Sequence, residues 1–271
     1  MKFALNYSHA AAALLNDGKI QFDIYKSADW PDMIAQARAQ RPVYVHYPLM
    51  AGRGAPDAAR REQIETMRAD TETPFINTHL APHAGQMDMP LDTTAAADRV
   101  HLIDAMLADI RPLVDHWGAE RVILENAIWD PTYAIPRPVL EADVIRHVVY
   151  ESGCGFLLDT AHAVASARYL GIDDYDYVAA LPLDRLRELH VTGLRYEDGR
   201  WNDHYELTDA DWQLAEWAVD NVRIGLWAHP WVLAFEYGGT GAHFVNRTDP
   251  TVIARQVPRL YELTHSVPVN A

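Results

Sequence analysis

The chain is poor in cysteine, with one thiol, Cys154, in 271 residues. A single thiol excludes an internal disulfide framework and any Cys-rich zinc ribbon. A reducing cytoplasm is the simplest setting for such a chain, although cysteine poverty would also suit export. Basic residues are scarce too: 23 Lys and Arg stand against 38 Asp and Glu, a formal charge of −15. Phosphate-binding surfaces need clustered Lys and Arg, and no basic run occurs, so no nucleic-acid partner is expected. Apolar runs never approach the roughly 20 residues of a transmembrane helix, so no membrane span is expected either. The N-terminus lacks the basic, apolar, small-residue order of a secretory signal, and its Ala10–Leu15 run is short and follows a strand-like start. Also missing are a G-x-G-x-x-G turn after the first strand and a Walker sequence, the usual phosphate loops of doubly wound sheets. Gly238-Gly239-x-Gly241 reads as a loop.

What is present suits an α/β barrel. The chain is 49% hydrophobic and 23% charged, a globular balance able to bury a sizeable core. Its length is normal for a barrel of roughly 250 residues. Short β-branched or aromatic runs recur at Lys2–Asn6, Ile20–Lys26, Pro42–Tyr47, Pro74–His79, Arg121–Glu125, Gly155–Asp159, Arg187–Val191 and Val232–Glu236. Helical stretches are predicted between and after them, at Ser8–Asn16, Pro31–Gln40, Asp57–Asp70, Thr93–Trp117, Arg137–Ser152, Ala161–Tyr169, Asp173–Ala180, Asp209–Val222 and Pro250–Thr264. Strict alternation implies a parallel sheet with crossover helices. With no Pro/Ser/Gly linker to divide it, the chain reads as a single (β/α)8 TIM-barrel domain over residues 1–271.

Barrels of this kind build their sites at the C-terminal strand ends. There the third to eighth predicted strands carry His46, His79, Glu125, Asp159, His190 and Glu236, all of them metal-ligand types. A single strand-end His or Glu is ordinarily structural. Six in corresponding places would bury charge that needs compensation, and divalent cations supply it. In Asp159-Thr160-Ala161-His162 one βα loop presents two more donors, and Asn202-Asp203-His204 offers an amide or carboxylate beside an imidazole. Nitrogen and oxygen donors without thiolate suit iron, zinc or manganese, and their number exceeds the needs of one ion. Lys26 and Asn6 end the second and first strands, where both can face the pocket mouth. His101, His116 and His147 fall in predicted helices as surface or packing residues; His83, His229 and His243 fall in loops. Trp201, Trp212, Trp217, Trp227 and Trp231 read as packing residues.

The pattern His46, His79, Glu125, Asp159-x-x-His162, His190, x-x-His204 and Glu236 resembles the xylose-isomerase-like barrel superfamily, which includes sugar isomerases and epimerases and endonuclease IV. The stretch Gly153-Cys154-Gly155-Phe-Leu-Leu-Asp159, continuing through Tyr169-Leu-Gly-Ile-Asp173 and Leu181-Pro-Leu-Asp-Arg185 to Glu188-Leu-His190-Val-Thr-Gly193, resembles one branch. That branch is the multinuclear non-haem iron-dependent oxidative enzymes, the group of the methanobactin-biosynthesis oxidase. The resemblance implies two or three divalent metal ions, iron favoured, held by His46, His79, Glu125, Asp159, His162, His190, Asn202, His204 and Glu236. It also implies catalysis involving Glu125, Glu236 and His162, a peptide or small thiol substrate, and often a peptide-presenting partner protein. Two positions depart from the branch, which usually carries Asn at His162 and Asp-x-His where Asn202-Asp203-His204 stands. The alternatives are an isomerase or epimerase using Glu125, Asp159, His190 and Glu236 around one ion, and a phosphodiesterase of the endonuclease IV kind. A non-catalytic metal-binding scaffold is a fourth reading.

Overall fold

The computed structural model describes residues 1–241, 244 and 247–266. Nine strands form one parallel sheet: β1 (Lys2–Asn6), β2 (Ile24–Ala28), β3 (Val43–His46), β4 (Met50–Ala51), β5 (Ile76–Leu80), β6 (Val122–Glu125), β7 (Gly155–Asp159), β8 (Leu186–Val191) and β11 (Val232–Phe235). Their order is β3-β2-β1-β11-β8-β7-β6-β5-β4. Because β3 and β4 are two segments of one strand, the ends of that order meet, and the result is a (β/α)8 TIM barrel. The outer helices are α1 (His9–Asn16), α2 (Pro31–Arg38), α3 (Ala58–Ala69), α4 (Ala96–Trp117), α5 (Ala142–Ser152), α6 (Thr160–Leu170), α7 (Asp174–Ala179), α8 (Asp209–Arg223) and α9 (Pro250–His265). A hairpin, β9 (Gly193–Glu197) and β10 (Arg200–Tyr205), is inserted after β8 and forms its own two-stranded sheet.

The period of two along each strand separates two interiors. Phe3 and Leu5, Val43 and Val45, Leu233 and Phe235 face outward into the core shared with the helices. Ala4, Ile24, Tyr44, Val232 and Ala234 point inward and fill the barrel's lower half, with Trp231 packed beneath them. Continuing upward on the inward face, the strands present Asn6, Lys26, His46, His79, Glu125, Asp159, His190 and Glu236, one residue per barrel unit. The apolar plug below and the polar ring above follow from the same alternation.

The expected elements are present, with local differences. The second strand begins at Ile24, later than expected, because Asp23 turns its carboxylate back to accept from the Phe3 backbone N–H at 2.7 Å. The helix expected over Arg137–Ser152 is divided into a 3-10 turn at Arg137–Leu140 and α5, where Pro138 lacks the N–H of a regular helix and Glu141 is extended. The β9–β10 hairpin had no counterpart among the predicted strands. Gly193 opens it because a Cβ there would lie 1.8 Å from the Glu206 carbonyl oxygen.

Between β3 and β5 the sheet lacks ordinary pairing at Tyr47, and side chains close the gap. Asn77 Oδ1 accepts from the Tyr47 N–H at 2.7 Å, and its amide donates to the Tyr47 carbonyl at 2.9 Å. Thr73 Oγ1 accepts from the Val45 N–H at 2.9 Å. Asn77 thus stands in for a strand's backbone while donating to His46 Nε2 at 3.0 Å. Asn77→Leu removes both partners of a buried peptide group, and an expected loss of about 2–4 kcal/mol in urea unfolding follows. Unchanged stability would show that water or a shifted backbone replaces the clamp.

Candidate metal centre

The polar ring converges on Glu125, which is 1% exposed. Its Oε2 lies 3.2 Å from His79 Nε2 and 3.4 Å from His46 Nε2, and its Oε1 lies 3.5 Å from His162 Nδ1. His79 is oriented by its own strand pair, since Nδ1 donates to the Leu49 carbonyl at 3.3 Å and turns Nε2 inward. Asp159 has two duties. As the N-cap of α6 its Oδ1 accepts from the His162 N–H at 2.9 Å, which leaves Oδ2 for the cluster. The same cap fixes His162 at the third helical position. A bond from Nδ1 to the Asn126 carbonyl at 2.9 Å then places the proton on Nδ1 and turns Nε2 toward the centre.

On the other side, His190 Nδ1 lies 3.0 Å from Glu236 Oε1. Its Nε2 is 3.2 Å from Glu188 Oε2, and Glu188 Oε1 accepts from the Trp231 indole at 3.0 Å. This chain of bonds fixes the ring and leaves Nδ1 as the nitrogen facing the centre. Glu188 was not singled out from the sequence; the signal was its place two residues before His190, on the same strand face. Lys26, 7% exposed, forms an ion pair with Glu236 Oε1.

At the hairpin the two neighbouring candidates, Asn202 and Asp203, face different ways. Asn202 does not face the cluster: its Oδ1 accepts from Arg247 at 3.1 Å, and its amide nitrogen lies 3.4 Å from the Glu197 and Arg200 carbonyls. Asp203 faces the centre instead, with Oδ2 3.2 Å from His162 Nε2. The cause is an irregularity in strand register between Asn202 and Tyr205, with His204 at φ 61°. This bulge re-aims two neighbouring side chains toward the same pocket. His204 Nε2 lies 3.9 Å from Glu236 Oε2 and 4.0 Å from Asp203 Oδ1.

The electrostatics are those of crowded ionisable groups. Burial pushes Asp159 up to about 6, reinforced by Glu236 and Glu125. For Glu125 burial acts upward too, but His79 and His46 prevail and hold it below the ordinary carboxylate range. Asp203 is likewise brought down to about 2 by His204 and His162 against burial. Burial would depress both His162 and His190; Asp159 and Asp203 raise the first instead, and Glu236 raises the second to about 9.

Among the described residues, three overlapping triads bring one donor atom per member within 4.8 Å of the others: His46, His79 and Glu125; Glu125, Asp159 and His162; His46, His190 and Glu236. Among the described residues, His46 Nδ1, Asp159 Oδ2 and His204 Nδ1 of this cluster are buried without a hydrogen-bond partner, while Glu125 Oε2 and His190 Nδ1 meet only the ion-pair partners given above. Unpaired buried donors and acceptors of metal-ligand type, packed together, fit divalent ions. A cavity of about 460 Å³ opens above them, walled by Met33, Ile128, Ile135 and Phe244. Its lining includes three exposed apolar side chains, Trp30 (51%), Met50 (40%) and Tyr133 (49%). Asn6 and Lys26 line the cavity. His101, His116, His147 and His229 are exposed, and His229 precedes β11, at the opposite end of the barrel. His83 bonds locally to Gly85, and His243 lies outside the described residues. The five tryptophans expected to pack do so outside this cavity, whereas Trp30, which no sequence pattern marked, lines it.

Fold and site define a xylose-isomerase-like barrel with metal-binding His/carboxylate groups. Endonuclease IV from Thermus thermophilus superposes with a TM-score of 0.53 at 12% identity, covering 97% of this chain and 98% of that one. A sugar phosphate isomerase/epimerase from Parabacteroides distasonis gives 0.55 at 11% identity, covering 96% and 98%. The chain belongs to the family described as RiPP precursor modification enzyme MbnB/TglH/ChrH, whose model matches residues 23–227. Relatives named UPF0276 protein include one from Rhizorhabdus wittichii, 28% identical over 171 residues, 60% of this chain and 58% of the relative. Another, from Paraburkholderia phytofirmans, is 28% identical over 207 residues, 70% and 64%. The matches thus span less than two thirds of those relatives' lengths.

Two outcomes are expected. Asp203→Asn lowers metal retention by about 10-fold or more in equilibrium dialysis, whereas Asn202→Ala keeps it within about 2-fold. The reverse order would return the ligand role to Asn202. Metal-free protein loses stability as pH rises, because His190 is raised from 6.5 to about 9 on folding. That contribution is complete below pH 6.5 and lost as pH passes 9, a drop of no more than about 3 kcal/mol. Denaturant midpoints of chelator-treated protein at pH 6.5 and 9.5 measure it; a rise in stability would contradict the assignment.

Proposed function

We propose that this protein is a non-haem iron enzyme that uses dioxygen to oxidise a peptide at cysteine, or a related small thiol compound. The observation carrying this reading is Glu125, a buried carboxylate that belongs to two donor triads, with its two oxygens toward different histidines. One carboxylate between two triads suits bridged neighbouring ions. His46, His79 and Glu125 would hold one ion; Glu125, Asp159 and His162, with Asp203, would hold a second. His190, His204 and Glu236 face a further position. Bound iron supplies the redox chemistry with dioxygen, and family membership favours iron among the metals the donors accept. The protein's part is to bind and orient. The apolar walls shed water around an entering side chain, and the exposed rim of Trp30, Met50 and Tyr133 suits an extended peptide, alone or presented by a partner protein.

An isomerase would need only Glu125, Asp159, His190 and Glu236 around one ion. The approach of both His46 and His79 to Glu125 favours the multinuclear reading, because that scheme gives these histidines no task. Glu125→Gln is expected to lose at least half of the bound iron and to slow oxygen consumption with a thiol peptide by more than about 100-fold. Elemental analysis and an oxygen electrode test this. Full iron content with unchanged rate would overturn the proposal, and zinc alone without oxygen uptake in the unsubstituted protein would redirect it to hydrolysis.

A further inference from the structure

Lys26 is the one ammonium among the described inward-facing residues at the top of the barrel, where the other strands present amide, imidazole or carboxylate groups. Its ion pair is with Oε1 of Glu236, the oxygen that also lies 3.0 Å from His190 Nδ1. Glu236 and His190 are two members of the triad completed by His46. An ion bound there would compete with the ammonium for that Glu236 oxygen. His190 is anchored from behind by Glu188 and Trp231 whether or not an ion is present.

We propose that Lys26 serves as a built-in cation at the His46–His190–Glu236 position, so that this chain's centre takes two divalent ions and a lysine. The inference rests on the metal-centre reading above and specifies its occupancy.

Charge balance supports it. Glu125, Asp159, Glu188, Asp203 and Glu236 bring five negative charges to the centre. Lys26 offsets one, and two divalent ions offset the remaining four. A third ion would leave two surplus positive charges in a largely buried pocket, which is costly to sustain. The ammonium is also buried, and the backbone that carries it is fixed. Lys26 lies on β2, paired with Asn6 of β1 and Tyr44 of β3, so its backbone cannot withdraw without breaking the sheet.

The test is anaerobic titration of the chelator-stripped full chain with ferrous iron alone, with elemental analysis after gel filtration. It compares the unsubstituted protein with Lys26→Met, Lys26→Gln and Glu236→Gln. The unsubstituted protein is expected to saturate at two ions per chain, the two lysine variants at three, and Glu236→Gln to retain two. Three ions in the unsubstituted protein would overturn the proposal. So would two ions in a lysine variant whose circular dichroism and melting temperature match the parent, or the loss of an ion from Glu236→Gln. If the lysine variants do not fold, the counts for the parent and Glu236→Gln still decide. Iron binding to none of the proteins would remove the metal centre and this inference with it; a count of two in parent and lysine variants alike would remove the inference alone.

Discussion

Carboxylates gathered inside a barrel must be compensated where they stand, and the upper half of this protein is arranged around that requirement. Glu125 is met by three imidazoles, Glu236 by Lys26 and His190, and Glu188 by His190 and the Trp231 indole. Asp159 is held by the first turn of α6, and Asp203 by His162. None of these arrangements uses all of the available lone pairs, which is why unpaired atoms collect at the centre. Neutralisation by the protein is therefore partial, and divalent cations could supply the remainder.

Beneath the ring the barrel is apolar apart from Glu188 and the Tyr44 hydroxyl. Tyr44, Ile24 and Val232 are buried beneath the ring, and the cavity opens above it. A low-dielectric floor strengthens each interaction above it. It also raises the cost of any charge left unmatched, and this sharpens the preference for one particular set of ions.

Much of this was legible in the sequence, because period-two alternation and strand ends are local properties. The eight barrel strands, and the ring residues from His46 to Glu236, follow from runs such as Pro42–Tyr47 and Gly155–Asp159. Asp159-x-x-His162 was readable as a pair because a strand-end N-cap fixes its partner one helical turn on. What escaped was set by contacts remote in sequence. Whether Asn202 or Asp203 faces inward depends on a bulge in the hairpin and on Arg247, some 45 residues away. Lys26 gains its importance only when β2 stands near Glu236, and Glu188 only when Trp231 approaches it. Asn77 looked like an ordinary strand residue until the missing pairing at Tyr47 gave it a backbone's task.

That seam has a further consequence. His46 and His79 sit on its two lips, one on β3 and one on β5, and both lean on Glu125. An ion held between them would rivet the barrel shut at the place where the sheet's own hydrogen bonds are interrupted. Loading of the centre would thereby also tie β3 to β5, beside the clamp that Asn77 already supplies at Tyr47.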